Sequence, residues 1–150
     1  MPTGREIEEK REAVVSLDFN DLLNKPKVKS YFPIYAEEDG DLGNNRFEWG
    51  FGDGNNTPDG MGVVIPFECQ LFAVGLSLQG NADVTVEVRK NTSSTGKSVS
   101  TTNNKLAWIS FENDTVQYDP GDVLNFFTIS GDSSSNGGII VAWFFREEQL

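Results

Sequence analysis

Histidine is absent from this 150-residue chain, and only one cysteine and two methionines occur. Without histidine there is no usual general base, no Ser-His-Asp or Cys-His nucleophile system and no commonest zinc ligand. The single cysteine, Cys69, has no partner for an internal disulfide. It stands between Glu68 and Gln70, and a neighbouring carboxylate does not favour a reactive thiolate. A small buried apolar residue is the expectation there. No run of about eighteen apolar residues occurs, so no membrane-spanning helix is expected. The first residues, with Arg5, Glu6, Glu8, Glu9, Lys10, Arg11 and Glu12, lack the apolar core of a secretory signal. Folding in a cytoplasm is expected. A basic stripe is also missing. Twelve basic against twenty-three acidic residues give a formal net charge of −11. Binders of nucleic acid or of anionic membrane carry the opposite sign, so neither partner is expected.

That charge is unevenly placed. Residues 1–30 hold six basic and six acidic residues, which leaves six basic and seventeen acidic residues for the rest. A neutral arm therefore precedes an acidic head. Fifteen glycines, with frequent Asn, Ser, Thr and Asp, indicate a turn-rich β protein. Eleven Phe and three Trp supply core volume where aliphatic residues are few.

Thr3-Gly4-Arg5-Glu6 reads as a capping box. It opens a short helix over residues 4–15 whose apolar positions include Ile7 and Val14. Phe19, Leu22 and Leu23 follow with little local sequence to cover them. Residues 27–35, which contain Tyr31 and Phe32, alternate polar and apolar and are expected to be extended. An acidic, glycine-containing loop at 37–45 marks the expected boundary between an attachment arm (1–45) and a head domain (46–150). Ile7, Val14, Phe19, Leu22, Leu23, Tyr31 and Phe32 are the expected attachment residues.

From residue 46 the period becomes two. Strands are expected at 46–51, 62–66, 70–79, 82–90, 97–100, 105–112, 122–130 and 138–146. Val84, Val86 and Val88 alternate with Thr85, Glu87 and Arg89, as in a half-exposed antiparallel strand. Gly80-Asn81 suits a hairpin turn, and Asp119-Pro120-Gly121-Asp122 suits another turn. The expected fold class is all-β, an antiparallel jelly-roll sandwich of about eight strands preceded by the short helix and extended arm.

Two expected strands are apolar on both faces. One carries Val123, Leu124, Phe126, Phe127 and Ile129, the other Ile139 through Phe145. Burying each such side chain is worth roughly 1.5–3 kcal/mol, and several left open would form a large apolar patch. Either the arm folds back over them or other copies of the chain cover them. Phe126, Ile140, Trp143 and Phe144 are the expected interface residues of such an assembly.

The stretch Phe47-Glu48-Trp49-Gly50-Phe51-Gly52-Asp53-Gly54, then Gly62 to Pro66, Leu71 to Ser77, Pro120 to Phe126 and Gly138 to Arg146, resembles the C-terminal heads of phage fibre and decoration proteins. Those heads resemble the trimeric jelly rolls of tumour necrosis factor and the complement globular domain. Phe19-Asn20-Asp21-Leu22-Leu23-Asn24-Lys25-Pro26 also resembles a short connector of phage fibres. The resemblance covers about two thirds of the chain and rests on packing and turn motifs. It implies a homotrimer on the virion surface, made in the host cytoplasm and bound to a major capsid protein or another virion protein. The missing repetitive shaft points to a head fibre or capsid decoration protein, with the receptor-binding tip of a tail fibre as the alternative.

No carboxylate pair is singled out by spacing, so no enzyme and no cofactor are expected. Calcium favours oxygen ligands, and two acidic loops offer weak candidates, Asp39 with Asp41 and Asp53 with Asn55 and Asp59. Neither loop matches an EF-hand, and ordinary turns use the same residues. Trp49, Trp108 or Tyr118 could stack on a host-surface glycan, although buried packing is the plainer use of each. Residues 132–138 read as an exposed loop or a plain linker between the last two strands.

Overall fold

A computed structural model describes residues 26–51 and 61–149. The expected N-terminal helix, with Ile7, Val14, Phe19, Leu22 and Leu23, lies outside them. Residues 31–146 form one compact unit; the chain before and after it forms a second, described only at 26–30 and 147–149. In that second unit Lys27 pairs with Glu147 at 3.6 Å.

The strands are β1 (Lys27–Glu38), β2 (Val63–Val64), β3 (Cys69–Lys90), β4 (Ser93–Ser110), β5 (Val116–Tyr118), β6 (Val123–Ser130) and β7 (Gly138–Gln149). They make one antiparallel sheet in the order β1-β7-β3-β6-β2, with β4 and β5 both paired to β3. The sheet curls into a half-barrel. The all-β antiparallel class is as expected. The eight-stranded sandwich is corrected, among the described residues, to seven strands in one connected sheet.

The physical reason lies in β3. The expected break at Gly80-Asn81 is not a hairpin, because the chain runs through it as a single 22-residue strand. One edge of β3 pairs with β7 over 70–78 and with β6 over 85–90. Its other edge pairs with β5 and then along β4. The sheet forks where β3 changes partner. A Cβ on Gly80 would run into the Ser134 carbonyl, so glycine serves close approach here and not a turn. The fork holds the 3-10 turn Ser133–Ser135, capped by Asp132, whose side chain accepts from the Ser134 N–H. Ser135 is fully buried, and its hydroxyl accepts from the Leu42 N–H at 3.2 Å. The expected exposed loop at 132–138 is therefore pinned into the sheet.

The hairpin sits eleven residues later, at Asn91-Thr92. Lys90 pairs with Ser93 across Asn91 and Thr92, whose φ values are +53° and +68°. Two central residues with positive φ are what a tight two-residue turn needs to match strand twist. The expected strands 97–100 and 105–112 merge into β4 in the same way, passing through Asn103 at φ +46°. The expected strand 46–51 is reduced to isolated pairings, Arg46 with Thr128 and Gly50 with Glu37. The Asp119–Asp122 turn is as expected: the Asp122 N–H donates to the Asp119 carbonyl at 3.0 Å, and Gly121 takes φ +93°.

Inward residues of the alternating strands fill the core. Val84, Val86 and Val88 are buried, as are Leu71, Val74 and Leu76. Cys69 is buried beside Tyr118, its register partner. Burial pushes its thiol up to about 11, so it stays protonated at neutral pH.

Candidate functional site

The register of β7, β3 and β4 builds the site. Residues opposite one another in a ladder share a face. Trp143 faces Ala73, which faces Ser110; Val141 faces Gly75, which faces Trp108; Ile139 faces Ser77, which faces Leu106. The central strand thus contributes small side chains and its neighbours large apolar ones. The result is a groove of about 510 Å³ with a low floor and apolar walls, lined mainly by Gly75, Ser77, Leu106, Trp108, Ile139 and Trp143. It lies on the face of the sheet opposite the core, since Leu76, Ile140 and Ala142 of the intervening positions are buried inside.

No charged side chain lines the groove, and Ser77 is its one polar side chain. Leu106 is 66% exposed and Trp108 61% exposed. Ile139 is also exposed, and Val141 and Trp143 are half-buried. An outward apolar surface of this kind on a chain of net charge −11 is the mark of a contact surface.

The structure separates the expected interface residues. Phe126, Ile140 and Phe144 are at most 1% exposed and fill this chain's own core. Phe144 stacks on Phe32 at 5.5 Å and meets Tyr118 edge-on at 5.3 Å. Only Trp143 of the four reaches the outer groove. The outer face of β6 is partly covered by the chain itself. Phe47 meets Phe127 edge-on at 4.8 Å, and the Arg89 guanidinium lies 4.1 Å from the Phe127 ring centroid, while Ile129 is 38% exposed. Folding back therefore covers Phe127 but leaves Ile139 of β7 exposed. Sequence reasoning missed Leu106, because β4 was read as two short strands whose outer partners were unknown.

Of the expected attachment residues within the described chain, Phe32 is half-buried against Phe67 and Phe144. Tyr31 is 59% exposed and sits edge-on to Phe72 at 5.5 Å. Of the calcium candidates, Asp53, Asn55 and Asp59 lie outside the described residues. Among the described residues, no three acidic or metal-ligating side chains converge around Asp39 or Asp41. Of the three rings considered for stacking, Trp49 and Tyr118 are buried and Trp108 is exposed.

A second polar constellation is internal. The Trp49 indole N–H donates to the Thr128 hydroxyl at 2.9 Å, which donates to Glu48 at 3.1 Å. The Gly43 N–H donates to the same carboxylate at 3.1 Å. Burial raises the Glu48 carboxyl above its ordinary value, aided by the charge of Glu38 and opposed by these hydrogen bonds. Its partners tie the 43–49 segment to Thr128 of β6 and give the cluster a structural role.

No protein-family model matches the chain, and no curated protein matches it. Among solved structures, it is similar to a chain from the acidic stable capsid structure of Helicobacter pylori bacteriophage KHP30. The TM-score is 0.52 at 14% identity, over 84% of this chain and 98% of that one. At that identity the likeness is one of fold.

Proposed function

We propose that this chain is a non-enzymatic bacteriophage structural protein that associates with the capsid as a head fibre or decoration protein. The observation that carries the reading is the fold likeness to a chain of a phage capsid structure, which spans nearly all of that chain. The absence of histidine and the uncharged outer groove support a role in contact and not in turnover.

In this reading the chain before residue 31 attaches the protein to a major capsid protein or another virion protein, and the compact unit 31–146 faces outward. Self-assembly stays in the proposal. Its surface shifts from Phe126, Ile140 and Phe144, which are spent on the core, to the groove beside Trp108 and Trp143.

Deleting residues 1–30 tests the attachment. The expected outcome is a folded protein absent from purified particles by mass spectrometry. Normal incorporation would sink the arm's role. A tail-tip receptor binder would instead block infection when added as soluble protein. Exposed Trp108 favours a glycan-binding reading to one degree only, since Ser77 is the sole polar side chain facing the groove and sugars need several hydrogen-bonding partners.

A further inference from the structure

We infer that the outer edge of β4 pairs with the same edge of a second copy of this chain, antiparallel and two-fold about Ala107, so that the two sheets continue into one and their apolar grooves lie side by side on the same face.

The backbone supplies the first argument. Among the described residues β4 pairs with β3 alone, so its other edge presents unpaired N–H and C=O groups. Such an edge is a template for another strand unless something blunts it. The two halves of β4 are blunted differently. From Ser93 to Thr102 the side chains are polar apart from Val99, which faces inward. From Lys105 to Ser110 the sequence is Lys-Leu-Ala-Trp-Ile-Ser, with one charge at its start. Leu106, Trp108 and Ile109 of this half are all exposed. The unprotected half of the edge is thus the half that walls the groove.

Charge supplies the second argument. Two chains of net charge −11 repel one another over most of their surfaces. The edge segment from Leu106 to Ser110, with no charged residue, is where they can meet without forcing like charges together.

Symmetry and area supply the third. An isologous contact must be self-complementary. A two-fold about Ala107 sets Leu106 of one copy opposite Trp108 of the other, and the reverse, so each large ring meets an aliphatic side chain across the ladder. A buried Trp covers roughly 150–250 Å², and Trp108 is 61% exposed. With Leu106 on the same face and Ile109, register partner of buried Val74, on the other face, the apolar contact along the edge comes to on the order of a few hundred Å² a side. Standard interfaces bury about 800 Å² per partner. The pairing is therefore reversible and concentration-dependent.

This inference does not rest on the capsid reading and concerns the purified full chain alone. Light scattering across a concentration series should show the mass rising from one chain to two. Amide exchange at 106–109 should slow in step. Trp108→Lys and Leu106→Lys each replace an exposed side chain, and each should raise the dissociation constant by about 100-fold, since a two-fold contact carries every substitution twice. Their far-UV circular dichroism should be unchanged. A single-chain mass at every concentration overturns the proposal. A three-chain mass overturns the two-fold. A two-chain mass that neither substitution weakens overturns the placement on β4.

Discussion

Glu48 shows how a single buried carboxylate ties loop, sheet and pH together. It is 3% exposed and accepts from Gly43 and, through Thr128, receives the chain of donors that begins at Trp49. The segment 43–49 is thereby held to Thr128 of β6 by bonds that span 79 and 80 residues of sequence. Its carboxyl is raised above the ordinary value of 4.5, chiefly by burial. A raised folded-state value means that the folded protein holds this proton more tightly than the unfolded chain does. The site's contribution to stability is then complete below about pH 4.5 and is lost as pH rises through the folded-state value. Glu48→Gln removes the titration. Unfolding free energies measured by urea from pH 4 to pH 7 should fall less steeply in the variant than in the parent. Parallel curves would mean that Glu48 does not govern this dependence.

Among the elements, the β3–β4 hairpin organises the sheet. The β3 strand is the common partner of β4, β5, β6 and β7, and its turn is only Asn91 and Thr92. Asn tolerates positive φ better than most residues, and here the Asn91 amide oxygen also anchors the turn to β6 by accepting from the Val123 N–H at 2.8 Å. Thr92 at φ +68° is β-branched and strained there. Thr92→Gly should relieve that strain and raise stability by about 1 kcal/mol, the αL penalty less the added backbone entropy of glycine. A urea midpoint that stays put or falls would show that the Thr92 conformation is not strained. The substitution leaves intact the Arg89 side-chain bond to the residue-92 carbonyl.

For the whole molecule the governing quantities are net charge and the uncharged groove. Copies of a chain at −11 repel through solvent, and salt screens that repulsion within about 8–10 Å. An apolar pairing between copies should therefore tighten as salt rises from low to physiological strength. An interface built on ion pairs would loosen. Sedimentation in a salt series distinguishes the two, and loosening would count against the groove as the contact.

How much of this was legible in the residues differs from place to place. The alternation of Val84, Val86 and Val88 identified a half-buried antiparallel strand, and those residues are buried. Asp119-Pro120-Gly121-Asp122 identified its turn, since Pro presets φ and Gly supplies the positive one. The missing histidine closed off whole classes of catalysis without any structure. These are local properties, decided by a residue and its near neighbours. Gly80-Asn81 looked locally competent to turn the chain, yet the turn falls at Asn91-Thr92. The first is held straight because its missing side chain admits the Ser134 carbonyl from a segment some fifty residues away. Likewise, the period of two in Ile139 to Phe145 states that there are two faces, but not which one the chain will cover. That was decided by what lies across the ladder: Phe32 and Tyr118 meet Phe144 on the inside, and Gly75 and Ser77 leave Val141 and Ile139 standing above a low floor on the outside. Backbone periodicity is written in the sequence, whereas burial is a property of long-range partners and exists only once the sheet has closed around them.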